Sequence, residues 1–347
     1  MITNITLENF KCFCHVSINP KLLTVLIGPN GTGKSSVLQA LLLLKQSVGE
    51  DGLKYEGDFF NLSDPDDILP NFLPPSLPVH FRIEGNVAGT EFQYFDVFSD
   101  VPEASNANEM PRYLDELQIL FDQLRFVPAA RGLVRPTYAL GDDHQEQISL
   151  HDGLGAQEEQ LATNLAYSRP VEEYLSEALK KVTGIGIRAE TVPSRLVEIT
   201  SLAPSGVVNI VAEGFGSNAL IQLLHQLILA DEGATVLIEE PEIHLHPKAQ
   251  ADLAEVMADT AKAEDKQIIM TTHSEYVAGR LLTMVAEGKL TTDELAIYSF
   301  EKDEKGECSA TEIEVTERGQ VKGGLTGFHE ATRDEMRRYA DGLRKRV

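Results

Sequence analysis

Residues 28–35 read Gly-Pro-Asn-Gly-Thr-Gly-Lys-Ser and match the pattern G-x-x-x-x-G-K-[ST] at every fixed position. A short apolar run, Leu22 to Ile27, leads into this string, and a leucine-rich stretch without a breaker, Ser35 to Gln46, leads out of it. A buried strand entering a glycine turn and leaving as a buried helix is the context the pattern demands. Such a loop belongs at the carboxyl edge of an open α/β sheet. Backbone N–H groups along Asn30, Gly31, Thr32, Gly33, Lys34, Ser35 and Ser36 are expected to curl around phosphates, aided by the positive end of the helix. Lys34 is expected to neutralise the β- and γ-phosphates, and the Ser35 hydroxyl to ligate Mg²⁺.

Two later strings suit the same chemistry. Thr235 to Ile238 is a short apolar strand that delivers Glu239 and Glu240 to the sheet edge, followed by Pro241 and Glu242. Glu239 is expected to hold Mg²⁺ through water, and Glu240 to orient and deprotonate an attacking water. Standing alone, the pair would read as a solvated acidic turn. Ile268-Ile269-Met270-Thr271-Thr272-His273-Ser274 is a further buried strand with a polar tip, one helix after the acidic pair. A histidine there can hydrogen-bond the γ-phosphate or the attacking water.

Around these strings the chain alternates short apolar strands with helices, which predicts a parallel sheet covered on both faces. Alternating residues predict strands near the N-terminus, a strand pair over Val79 to Phe98 with a turn at Gly85 to Gly89, and a surface excursion over Gly49 to Pro78. Glu158 to Val182 reads as helix interrupted at Pro170, with strands at Ile185 to Thr191 and Leu196 to Ser201. Helices are predicted over Gly216 to Ala230 and Pro247 to Ala263. No heptad run long enough for a coiled-coil arm is present. The expected organisation is an N-terminal lobe over 1–140, a helical and β insert over 141–206, and a C-terminal lobe over 207–347.

Composition narrows the partners. A net charge of −24 disfavours unaided binding to DNA, which requires a basic surface, and favours a protein partner. The basic cluster Arg333 to Arg346 is interrupted by acidic residues. The longest apolar run is far shorter than the roughly 20 residues a bilayer span needs. The N-terminus does not read as a signal peptide, and three cysteines suit a reducing cytoplasm. Cys12, Cys14 and His15 lack a second ligand cluster and read as structural positions.

Ile5-Thr6-Leu7-Glu8-Asn9-Phe10-Lys11, followed by Leu23 to Gly31, resembles the opening of RecF, SMC and OLD-type ATPases. Glu239-Glu240-Pro241-Glu242-Ile243-His244-Leu245-His246-Pro247 is similar to the Walker B and D-loop signature of the OLD-type AAA ATPases, and Thr271 to Ser274 resembles their switch histidine. The resemblance covers about 1–46 and 207–282. It implies a P-loop fold of the ABC type, a mixed sheet with an antiparallel β subdomain and a helical lobe, and helices on both faces.

The resemblance further implies ATP and Mg²⁺ as ligands and a head-to-tail homodimer in which each ATP is completed by the opposite subunit. By position, the signature loop is Glu213 to Asn218, with Gly216 and Ser217 at a helix start facing the partner's γ-phosphate. The loop departs from the LSGGQ pattern of transporters, and a plain helix cap at Ser217 is the alternative. Pro128 to Gly132, with Arg131, follows the approximate place of a Q-loop but has no obvious glutamine. His244 and His246 fit dimer-interface positions better than metal ligands. The OLD family proper carries a Toprim nuclease, whose carboxylates are not seen after Ser274; Glu301 and Asp303 read as part of a charged hairpin turning at Lys305-Gly306. The expectation is a cytoplasmic ATPase switch acting on a separate effector protein, in antiviral defence or a toxin system, with a RecF- or SMC-like action on DNA as the alternative.

Overall fold

The computed structural model describes residues 1–48, 53–57, 59, 61–62, 68–70, 72, 77–87, 89–98, 114–141, 157–204 and 206–322. The basic cluster at 333–346 and much of the predicted excursion lie outside the described residues. The chain begins with β1 (Ile2–Phe10), β2 (Phe13–Ile18), β3 (Leu23–Ile27) and α1 (Lys34–Ser47). It continues through β4 (Val79–Val87), β5 (Thr90–Phe98), α2 (Leu114–Asp122), β6 (Arg125–Val127), β7 (Tyr138–Ala139), α3 (Gln157–Tyr167) and α4 (Arg169–Thr183). Next come β8 (Gly186–Val192), β9 (Leu196–Ala203), β10 (Gly206–Asn209) and α5 (Phe215–Leu229). The C-terminal part holds β11 (Thr235–Glu239), α6 (Pro247–Ala263), β12 (Gln267–Thr272), α7 (Glu275–Ala286), β13 (Leu295–Lys302) and β14 (Cys308–Glu312).

A six-stranded sheet in the order β14-β13-β3-β12-β11-β6 forms the centre. Its strands are parallel except β14, which pairs antiparallel with β13 at the edge. β3 and β12 are buried at every residue, as expected of strands covered on both faces. Alternation sorts their side chains. Val25, Val236, Ile238, Ile268 and Met270 join a core shared with α4 to α7. Leu26, Leu237, Ile269 and Phe300 point the other way, into a second core with α1, α2 and the antiparallel sheet β2-β1-β4-β5. Helix α1 sits wholly within that second core, and each of its buried leucines contributes about 1.5–3 kcal/mol. The mixed sheet, the antiparallel β lobe and the helical lobe are those predicted.

The helical stretch is interrupted beside Pro170, as expected: the break falls at Ser168, and Pro170 sits in the first turn of α4, where its missing N–H has no intrahelical partner to lose. One local expectation shifts. The strand β4 runs through Gly85 to Val87, because Gly85 lets the Met1 carbonyl approach to within 2.7 Å of where a Cβ would stand. The turn to β5 is therefore tighter than predicted. Strands β7 to β10 form a separate small sheet, and α3, α4 and β9 pack into the same core as α5 and α6.

Candidate functional site

Register brings three strand ends together. Ile27 pairs with Thr272, and Thr271 pairs with Glu239, so the loops leaving β3, β12 and β11 emerge side by side at the carboxyl edge of the sheet. Between them opens a cleft of about 580 Å³. Asn30, Gly31, Thr32, Gly33, Lys34, Ser35 and Ser36 line it, together with Glu240 and His273.

The loop after β3 is shaped as a cradle. Gly33 caps α1 in the left-handed conformation, at φ 92°, and no side chain caps the helix start. The Ser36 N–H donates to the Gly33 carbonyl at 3.0 Å, and with no side chain over the helix start its positive end is open to an anionic ligand. A side chain at Gly33 would stand 2.5 Å from the Phe13 ring and 2.6 Å from Cys12 Sγ, so the glycine is required sterically as well. Lys34 is buried, with its Nζ donating to the carbonyls of Gly28 and Pro29 at 2.8 Å each. Burial pushes the Lys34 ammonium below its ordinary value, against the opposing pull of Glu240 and Glu242. An anionic ligand in the cradle would relieve that cost.

The Ala129 N–H donates to the Glu239 carboxylate at 3.4 Å, and the nearby Ser35 hydroxyl also favours its charged form. Burial raises the Glu239 pKa more than these donors lower it. A half-buried carboxylate beside a hydroxyl is a donor set suited to a hard divalent cation, which would offset the burial. The residues present thus fit Mg²⁺. Glu240 has a left-handed backbone at φ 43°, and its N–H donates to the Thr271 carbonyl at 2.9 Å. That turn places its carboxylate in the cleft, 3.7 Å from His273 Nε2. His273 is held from both sides. Its N–H donates to Glu242 Oε1 at 2.7 Å, and the next residue, Ser274, caps α7 by accepting from Tyr276 and Val277. Burial chiefly, with Lys34 second, lowers the His273 pKa, so the imidazole is neutral at pH 7.

Gly216 and Ser217 do not join this cleft. They occupy the first turn of α5, whose cap is Gly214, so Ser217 is not a helix cap. A Cβ on Gly216 would lie 2.4 Å from the His244 carbonyl, and the rings of Phe215 and His244 meet edge to face at 4.7 Å. His244 lies in a turn at φ 59° and His246 caps α6, so the two do not share a strand face. Among the described residues no cluster of His, Cys, Asp and Glu suits a metal ion by itself.

Further residues complete the site beyond those expected from the sequence. Lys302, Lys305 and Gly306, from the hairpin of β13 and β14, line the cleft, and so do Lys11 and Cys12 from the turn between β1 and β2. Lys302 and Lys305 stand among Glu301, Asp303, Glu304 and Glu307, so no local excess of positive charge marks them along the chain. Phe72, from the predicted surface excursion, also reaches the cleft. Arg131 is buried and donates to the carbonyls of Pro128, Glu239, Glu240 and Pro241 at 2.8–3.1 Å. Burial lowers its pKa to about 10, against Glu242, Glu240 and Glu239, so it stays charged at neutral pH.

Comparison with known proteins agrees with this geometry. Residues 1–131 match the family model described as "AAA ATPase domain", and residues 157–278 match "AAA domain, putative AbiEii toxin, Type IV TA system". The chain is 23% identical over 323 residues to the OLD nuclease of Thermus scotoductus, covering 80% of this chain and 60% of that protein. It thus spans about three-fifths of that relative's length. Among solved structures, the SMC head domain from Thermotoga maritima matches with a TM-score of 0.54 at 15% identity, over 90% of this chain and 99% of that one. An Smc head bound to the C-winged helix domain of ScpA matches at 0.58 and 15%, over 90% and 98%. The Smc head bound to the C-terminal domain of ScpA derived from Pyrococcus furiosus matches at 0.57 and 14%, over 90% and 96%. With its cradle, acidic pair and histidine on one sheet edge, the chain has the fold of the ABC-type P-loop ATPases and is similar to AAA ATPase domains, to an OLD nuclease and to SMC heads.

Proposed function

We propose that this chain binds and hydrolyses ATP with Mg²⁺, and that it works as a homodimeric, nucleotide-gated switch on a separate effector protein. The observation that carries the hydrolytic reading is the meeting of Lys34, Glu240 and His273 in one cleft around the loop of Asn30 to Ser36. Lys34 would exchange the Gly28 and Pro29 carbonyls for the β- and γ-phosphates, leaving its charge better compensated. Ser35 and Glu239 would hold Mg²⁺, which supplies charge neutralisation on the phosphates. Glu240 is the general base for the attacking water, and neutral His273 donates or accepts a hydrogen bond at the γ-phosphate side.

One observation supports a shared site and another supports a separate protein partner. Gly216 and Ser217 stand at the start of α5, away from the chain's own cleft, where a second subunit can be reached. Two of the matching SMC heads were solved bound to a domain of another protein, ScpA. The family model naming an AbiEii toxin and the likeness to an OLD nuclease support a role in a toxin or antiviral defence system. The three cysteines are free thiols, which suits the cytoplasm. No helix among the described residues is long and apolar enough to cross a membrane.

The likeness to SMC heads also favours a second reading, an ATPase acting directly on DNA. The two separate in one experiment. Glu240→Gln, expected to bind ATP without hydrolysing it, is tagged and purified from its host with ATP and Mg²⁺. A stoichiometric protein partner, lost when Lys34→Ala is added, supports the effector switch. Nucleic acid alone, retained in moderate salt, overturns it in favour of action on DNA.

A further inference from the structure

The backbone around Glu240 is costly on its own. Glu240 is a left-handed, non-glycine residue at φ 43°, a strained conformation that persists only where its surroundings over-determine it. Here the N–H of Glu240 is bound to Thr271, and the carbonyls of Glu239, Glu240 and Pro241 converge on one guanidinium, that of Arg131. Three successive carbonyls aimed at one point repel one another unless a cation with several fixed donors lies between them. The planar fork of an arginine meets this need, and a lysine's single ammonium does not.

Beyond Arg131 the same segment is gripped by α5. The Gly132 N–H donates to Gln222 at 3.0 Å, and Asn218 both accepts from the Leu133 N–H and donates to the Leu133 carbonyl. Asn218 and Gln222 lie one helical turn apart and share a face of α5. Gly132 has φ 140°, and a Cβ there would meet the Phe215 ring at 3.5 Å. Residues 131–133 therefore form a strap, with the turn carrying Glu240 at one end and the first turns of α5 at the other.

We infer that Arg131 is a positioning residue for Glu240, holding the turn that places its carboxylate in the cleft, and that the strap 131–133 makes this placement follow the start of α5. The inference rests on the reading of Glu240 as the general base. It adds a route by which whatever engages Gly216 and Ser217 is felt at the reacting water. Arg131 itself touches neither.

The test is a single-turnover measurement of ATP hydrolysis on the full chain with Mg²⁺, beside the affinity for a fluorescent ATP analogue. Arg131→Lys and Arg131→Met are expected to slow the chemical step about 100-fold, the scale of a displacement near 1 Å, with affinity held within about threefold. Asn218→Leu, which releases the strap without touching Glu240, is expected to show the same split in weaker form. In a Glu240→Gln background the Arg131 substitutions are expected to leave the residual rate unchanged, because their effect passes through that carboxylate. Should Arg131→Met fail to fold, Arg131→Lys carries the test. An unchanged rate, a parallel loss of affinity, or a further multiplied loss on top of Glu240→Gln overturns the inference while leaving the general base in place. Full activity in Glu240→Gln alone removes the general base, and this inference with it.

Discussion

His273 Nε2 faces Glu240 Oε1 across 3.7 Å, each carried on the loop after one of two neighbouring parallel strands. The pair lines the same cleft as the phosphate loop and Lys34. Burial keeps the imidazole neutral at pH 7 and moves its protonation to the acid side of the ordinary value of about 6.5. Once protonated, His273 would pair electrostatically with Glu240 and blunt it as a base. The rate of ATP hydrolysis should therefore hold near neutral pH and fall below about pH 6.5. In His273→Gln the part of the acid limb due to the imidazole should vanish, which a pH profile of kcat in both proteins would reveal. Identical profiles would exclude the pairing.

His225 makes a prediction about stability. It is fully buried in α5, near Asn164, and burial with help from Arg125 pushes its pKa down to about 3. The unfolded chain, with an ordinary pKa near 6.5, takes up this proton first. Folding stability is thus intact above about pH 6.5 and declines by about 1.4 kcal/mol per pH unit as the pH falls towards the folded value. His225→Gln should lose this part of the slope, measured by urea unfolding at pH 7 and pH 5. Equal slopes in the two proteins would contradict a neutral buried imidazole.

Gly216 is a packing requirement before it is anything else. A methyl group there would lie 2.4 Å from the His244 carbonyl, a backbone atom that cannot swing aside. Gly216→Ala should separate the start of α5 from the turn after Glu240 and cost about 1–3 kcal/mol. Chemical denaturation measures the cost. Gly279, whose added Cβ meets nothing within 4 Å, is the control: Gly279→Ala, within helix α7, should be neutral or stabilising.

The lysines of the β13–β14 hairpin should act on affinity more than on chemistry. Lys302 and Lys305 line the cleft together with the phosphate loop, in a chain whose net charge of −24 otherwise repels a polyanion. Lys302→Ala with Lys305→Ala should raise KM for ATP several-fold, leave kcat nearly unchanged and weaken the salt dependence of KM. A fall in kcat at constant KM would place the hairpin in the chemistry instead.

The strand-turn-helix at residues 23–47, the acidic end of β11 and the histidine after β12 are legible along the chain. Each is a local pattern: a short apolar run fixes a buried strand, and the polar residues just after it must emerge at the strand's carboxyl end. That these ends belong to one edge follows from the alternation of strands and helices, since right-handed crossovers keep parallel strands pointing the same way. The paired carboxylates and the lysine loop then imply the same chemistry before any coordinate is known.

What only the tertiary structure decided is which distant residues complete that edge. Arg131 meets Glu239 from 108 positions away, and nothing in Pro128 to Gly132 announces three acceptor carbonyls. The hairpin at Lys305 reads as an ordinary charged turn until β13 pairs with β3 and carries it over the phosphate loop. Gly216 reads as a helix start until the His244 carbonyl arrives against it. Periodicity and turn chemistry report the neighbours of a residue along the chain, whereas these contacts join backbone groups brought close by the order of strands in the sheet, to which a single sequence carries no local signal.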